Sequence, residues 1–206
     1  MWCRYGYLLR SRVSGAEGRR HGVPNYSGVS QAEVWPVVDE MYWTNANELP
    51  PDVRAAFTEI EQDPEDFLFL RVTRSSKALW RIATFIRAAV SALDALAIEI
   101  DIDAPLPPCD DLHVKWLGYE PYARGEWGLL SLLDTSEALG RWVGQVNESG
   151  LLTSPEQCLS FAAYYRKTMG QTGGPEPIAD DAIIDILHVG LVPLRAVQGL
   201  VPRHDR

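Results

Sequence analysis

Ala97-Ile98-Glu99-Ile100-Asp101-Ile102-Asp103-Ala104 alternates apolar and acidic residues without a break. Successive side chains of a β-strand point to opposite faces. The run therefore reads as a strand with Ile98, Ile100 and Ile102 on one side and Glu99, Asp101 and Asp103 on the other. A strand with one polar side belongs to a sheet covered on one face only, which suits an antiparallel or mixed sheet.

Working outward, residues 76–97 carry Leu79, Ile82, Ala83, Ile86, Ala89, Val90 and Leu93 at helical spacing. This predicts a long, broadly apolar helix at the centre of the core. Further upstream, Pro50 and Pro51 open a helix that runs through Val53, Phe57 and Ile60, and DFLFLRVTR (66–74) reads as a strand. Ser30 and Glu33 have capping-box spacing ahead of a helix through Val34, Val38 and Met41. Five glycines and prolines between 14 and 30 mark a loop, and residues 2–13 read as a strand whose alternation is imperfect.

Downstream, three prolines within 105–112 make a turn, and LHVKWLGYE (112–120) reads as another strand. The last third reads as helical. Leu139, Trp142, Val143 and Val146 mark one helix. Ser154, Pro155 and Gln157 supply an N-cap, a first-turn proline and a capping-box partner for a second, with Cys158, Phe161, Ala162, Tyr165 and Met169 on one face and Gly170 as its stop. A loop at 170–177 precedes a final helix near 179–190. Regular βα alternation is missing, so the predicted class is α+β. The expectation is a single domain with a small mixed or antiparallel sheet of about three or four strands, packed against several helices, with a helical C-terminal third.

The 206 residues are 46% hydrophobic and 23% charged, an ordinary globular balance. The net charge of −9 repels phosphate backbones and argues against nucleic-acid binding. It attracts a basic protein partner. The charge is concentrated: residues 31–66 hold ten acidic and one basic side chain, and 96–120 hold six and one. Three cysteines, with no C-x-x-C, exclude a disulfide framework and favour a reducing compartment. No signal-peptide pattern opens the chain, and the apolar tract 182–201 is broken by Asp185, His188, Pro193 and Arg195. The expectation is a cytoplasmic protein, neither membrane-bound nor nucleic-acid-bound, and a monomer or small homo-oligomer.

Four features carry candidate chemistry. Glu99, Asp101 and Asp103 on one strand face repel one another unless solvated or neutralised, so they form either a solvated side or a site for a cation. A partner's lysine and arginine side chains are such cations. Cys109, Asp110, Asp111 and His113 mix ligand types, but no second Cys/His pair lies at zinc spacing. Asp181, Asp185 and His188 fall on one stripe of the predicted final helix, where an aspartate beside a histidine serves acid–base chemistry. The fourth feature is aromatic. On a helix through 34–45, Trp43 falls opposite Val34 and Val38, between Asp39 and Glu40, and reads as an exposed indole ringed by carboxylates. Tyr119 and Tyr122 lie in the tyrosine-rich GYEPYARGEW (118–127), which reads either as contact surface or as a lid folded back on the core.

No nucleophile elbow, Walker A loop, G-x-G-x-x-G or H-E-x-x-H motif is present. No cofactor or resident metal is expected, and Cys158 reads as a buried, inert thiol. The residues support three classes of function. The first is a non-catalytic inhibitor that neutralises a basic protein such as a bacterial toxin (an immunity-type protein). Its expected partner-binding residues are Trp43, Asp39, Glu40, Glu99, Asp101, Asp103, Tyr119 and Tyr122. The second is a metal-assisted hydrolase using the clustered aspartates. The third is a structural or adaptor subunit that docks through its apolar C-terminal tract.

Overall fold

The computed structural model describes residues 1–11, 49–61, 72–86, 93–103, 105–125, 128–134, 142–172 and 182–194. They form five strands and three α-helices. In chain order these are β1 (Trp2–Ser11), α1 (Pro51–Glu61), α2 (Ser76–Ile86), β2 (Leu93–Asp101), β3 (Lys115–Gly125), β4 (Gly128–Ser131), α3 (Pro155–Thr172) and β5 (Ile184–Val192). The strands make one sheet of order β1-β2-β5-β3-β4, antiparallel at every junction. The fold is α+β.

Ile98 and Ile100 of β2 point to one face, as their alternation dictates, and are buried there with Leu96, Leu187 and Val189. Helix α3 covers this first face with Cys158, Phe161, Ala162 and Tyr165. Each such side chain contributes roughly 1.5–3 kcal/mol by leaving water. The second face carries Tyr7, Leu9, Ala95, Ala97 and Val192, and α1 and α2 cover it through Val53, Ala56, Leu79, Ile82 and Ile86. The sheet is thus covered on both faces, but the second only in part. Along β2 on that side, Ala95 and Ala97 are fully buried, Glu99 is partly exposed and Asp101 is exposed.

Helix α3 begins where its sequence says it should. Gln157 N donates to Ser154 Oγ at 3.2 Å, and Gln157 Oε1 accepts from Thr153 N at 2.9 Å. Two N-terminal donors are satisfied reciprocally. The helix passes through Gly170 and ends at Thr172, so that glycine is not its stop.

Several expectations are corrected. The helix predicted over 76–97 ends its described span at Ile86, and Leu93 opens β2, the sheet's second strand. Around Val143 the chain makes one 3₁₀ turn, Val143–Gln145, and Val146 is extended, although Trp142 still packs edge-on against Phe161 at 5.3 Å. The largest change is at 179–190. Its described part is not a helix but β5, the middle strand of the sheet. Ile184, Ile186, His188, Gly190 and Val192 alternate with Asp185, Leu187, Val189 and Leu191. A central strand is buried on both sides and therefore reads as a continuous apolar run, which periodicity alone does not separate from a helix. The described part of the apolar C-terminal tract is consequently spent inside the sheet. The loop at 14–30 and the helix through Val34 lie outside the described residues, as does most of the 66–74 segment.

Candidate partner-binding face

Two β-bulges set the site. In β1, Arg4 pairs with Glu99 and Gly6 with Ile98, so Tyr5 is an extra residue. In β3, Trp116 pairs with Gly190 and Gly118 with Val189, so Leu117 is extra. Ile98 and Val189 are themselves paired. The bulges therefore lie at one level of the sheet, on either side of its two central strands. Each carries a glycine because another segment comes close. A Cβ on Gly6 would meet Val72 at 2.7 Å, and one on Gly118, at φ +151°, would meet the Leu152 carbonyl at 2.7 Å. Thr73 bridges Tyr7 beside the first bulge and Leu152 bridges Tyr119 beside the second. Asn147 pins the second bulge: its Nδ2 donates to Leu117 O at 2.7 Å, while its Oδ1 accepts from Ser149 N and Leu151 N.

An extra residue reverses the alternation of the strand that follows it. Arg4 and Tyr7 therefore share the second face, and so do Trp116 and Tyr119. The result is a row of directly opposed residues across four strands: Arg4, Glu99, His188 and Tyr119. Arg4 reaches Glu99 Oε1 through Nη2 at 3.3 Å, and His188 Nδ1 lies 3.2 Å from Glu99 Oε2. In the tautomer that carries its proton on Nδ1, the imidazole donates to this carboxylate. The imidazole is stacked between two rings, Trp116 at 3.9 Å and 14° and Tyr119 at 4.4 Å and 11°. Trp2 stands edge-on to Tyr119 and His188. The Arg4 guanidinium lies 5.3 Å from the Trp116 ring and donates from Nη1 to Tyr7 Oη at 2.9 Å.

Burial lowers the affinity of His188 for a second proton, partly offset by Glu99, and Arg4 adds to the lowering. Burial, with Glu99 next in effect, raises the Tyr119 hydroxyl. Tyr7 is pushed up to about 12, chiefly by burial. Trp116 is 36% exposed, the outermost ring of the stack. The Trp116 ring comes close to the backbone of β5 at Gly190, which has no side chain. A Cβ there would stand 2.8 Å from Trp116 Cε3 and 2.2 Å from Val114 Cγ1.

The structure separates the residues singled out from the sequence. Glu99 and Tyr119 lie in the row. Asp101 flanks it, exposed, with Oδ1 2.5 Å from the Met1 ammonium, and Asp103 is exposed just beyond β2. Tyr122 is a core residue, 2% exposed on the first face, so its ring is not presented for contact. Trp43, Asp39 and Glu40 lie outside the described residues. Asp185 and His188 occupy alternate positions of β5 and point to opposite faces, and the carboxylate beside His188 is Glu99. Asp181 lies outside the described residues. Asp110 Oδ2 accepts from Ser76 N at 2.7 Å, holding the start of α2. Burial raises the Cys109 thiol to about 11 and drives Cys158, fully buried, well above the ordinary thiol range. Among the described residues no group of three or more His, Cys, Asp or Glu side chains is placed to hold a metal ion. Among them, too, no helix is long and apolar enough to cross a membrane.

Trp2, Arg4 and Trp116 are the residues that sequence reasoning missed. The signal was present as Trp116 and Tyr119 at spacing three with Gly118 between them, since a glycine inside a strand pattern marks a bulge. Comparison of the chain with protein-family models, with curated proteins and with solved structures finds no match.

Proposed function

We propose that this chain is a small acidic binding protein that neutralises a basic protein, and that the part-open second face of the sheet is its contact surface. The observation that carries this reading is Trp116: a large aromatic ring, exposed, yet held rigid by stacking on His188. Rigid aromatic anchors give contact area with little entropy to lose on binding. The arginine already beside this indole indicates the chemistry a partner would bring, since guanidinium and ammonium groups are attracted to the ring face. Exposed Asp101 and Asp103 at the margin, and a net charge of −9, favour such a partner over a long range. A toxin-neutralising, immunity-type protein is the concrete form. The cytoplasm is the fitting compartment, because it keeps the free Cys3, Cys109 and Cys158 reduced. Nucleic acid, membrane and cofactor have no part in the proposal, and the active species is a monomer or small homo-oligomer.

The second reading, a metal-assisted hydrolase, would use some of Asp101, Asp103, Asp110, Asp111, Asp181, Asp185 and His188, whereas the carboxylate beside His188 among the described residues is that of Glu99. The test is capture of partners by the tagged chain from its source cell, in low and moderate salt, beside the Trp116→Ala variant. The expected result is one stoichiometric basic protein, lost as salt rises and retained at least tenfold less well by the variant. Equal capture by both forms would remove the second face from the proposal. Capture of nothing would remove the proposal itself.

A further inference from the structure

A cleft of about 310 Å³ opens at the end of the sheet, where Ile100 of β2 and Ile184 of β5 meet the first turns of α3. Trp2 and Leu159 are among its other apolar walls, and Asp101 and Asp185 line it as well. Leu159 is 56% exposed, and neighbouring Ile183 is 58% exposed. Trp2 belongs both to this cleft and to the ring cluster around His188, so the cleft continues the face described above. Apolar walls with carboxylates beside them match a side chain that is aliphatic along its length and cationic at its tip. Such a chain buries its stem while its head stays near water and the negative charge. The molecule already places a cation there: the Met1 ammonium is 2.5 Å from Asp101 Oδ1, and both partners are exposed.

We infer that this cleft takes a lysine or arginine side chain of the basic partner, its stem against Ile100, Ile184 and Leu159 and its charged head at Asp101, displacing the Met1 ammonium. The inference rests on the proposed partner-binding function and names the group that the partner inserts. Cation and stem are both required. A carboxylate alone attracts any cation weakly through water, and an apolar cleft alone has no preference for charge.

The test follows backbone amide shifts of the full chain by NMR during titration with three blocked tripeptides, Ala-Lys-Ala, Ala-norleucine-Ala and Ala-diaminopropionate-Ala. The second lacks the charge and the third lacks the stem. The expected result is a saturable shift of amides at 100–102, 184–186 and 159 with the lysine peptide, weakened at least fivefold with either of the others. Asp101→Asn and Leu159→Ser, both at exposed positions, should each weaken it by a similar factor while leaving the remaining amide spectrum in place. Three results overturn the inference. One is no saturable shift, another is equal binding of the norleucine or diaminopropionate peptide, and the third is concentration-dependent shifts of these amides without peptide, which would mean a second copy fills the cleft. Capture of a basic partner that Asp101→Asn and Leu159→Ser leave unchanged removes the cleft and keeps the proposed function. A lysine-specific shift with no captured partner does the reverse.

Discussion

His188 joins the chemistry of the face to the stability of the fold. Its ring is held between Trp116 and Tyr119, and its Nδ1 faces Glu99 Oε2. Burial depresses its pKa below the ordinary 6.5. The unfolded chain therefore binds a proton more readily than the folded one as pH falls through that value. The stability due to the neutral ring is fully present above pH 6.5 and is lost as pH falls through the lower, folded pKa. Urea midpoints at pH 7.5 and 5.5 should differ more for the wild type than for His188→Phe, which keeps the stack and removes the titration. An equal difference in both proteins would show that the ring titrates as freely folded as unfolded. Gly190 is the second residue on which the stack depends. Gly190→Ala brings a methyl against Val114 and Trp116, and should cost about 1–3 kcal/mol with Trp116 displaced from His188. Denaturant unfolding and tryptophan emission read the two effects, and an unshifted spectrum with full stability would mean that the ring does not lie over this glycine.

The bulges explain at the scale of elements why part of the fold was legible and part was not. Strict alternation in 97–104 identified β2 and its two faces, because no extra residue interrupts β2. The imperfect alternation of residues 2–13 is the bulge at Tyr5 read as noise. The same device in β3 hid the fact that Trp116 and Tyr119 face the same way. For β5 the failure had a different cause. Asp185 and His188 at spacing three suggested a helical stripe, while their neighbours Leu187, Val189 and Val192 are the signature of a strand buried on both sides. The candidate site was less legible than the fold, since Arg4, Glu99, His188 and Tyr119 become neighbours only through three strand registers. The bulge in β3 also makes a prediction. Asn147→Ala removes three hydrogen bonds around the Leu117 bulge and leaves the Leu117 carbonyl without its amide donor. The expected cost is about 1–3 kcal/mol in denaturant unfolding. Histidine ring resonances should shift as well, because the Trp116–Tyr119 pair loses its register. A stability loss with unmoved His188 resonances would uncouple the bulge from the ring stack.

For the whole molecule, the distribution of charge decides which carboxylates can act on a partner and which are committed to the fold. Glu99 belongs to the second group: it is partly buried and paired with both Arg4 and His188, so reversing its charge would set a cation against Arg4, remove the carboxylate beside His188 and damage the sheet. Asp101 and Asp103 belong to the first. Both are exposed, and the pair that Asp101 makes with the Met1 ammonium is exposed as well. Exposed pairs add little to stability, so Asp101→Lys with Asp103→Lys should leave thermal unfolding within about 1 kcal/mol of wild type. The same change takes the net charge from −9 to −5, four units from two reversals. It also converts the margin of the contact face from attractive to repulsive. Long-range attraction governs encounter more than residence, so association with the basic partner should slow by about tenfold or more at low salt while dissociation changes less. Added salt should close that gap, because the Debye length shortens to about 8 Å at physiological ionic strength and below that in stronger salt. Surface-plasmon or stopped-flow rates across a salt series measure both constants. A slowing that persists undiminished in high salt would mean that long-range attraction by the two aspartates is not its cause. No slowing at all would mean that the partner approaches another side of the molecule.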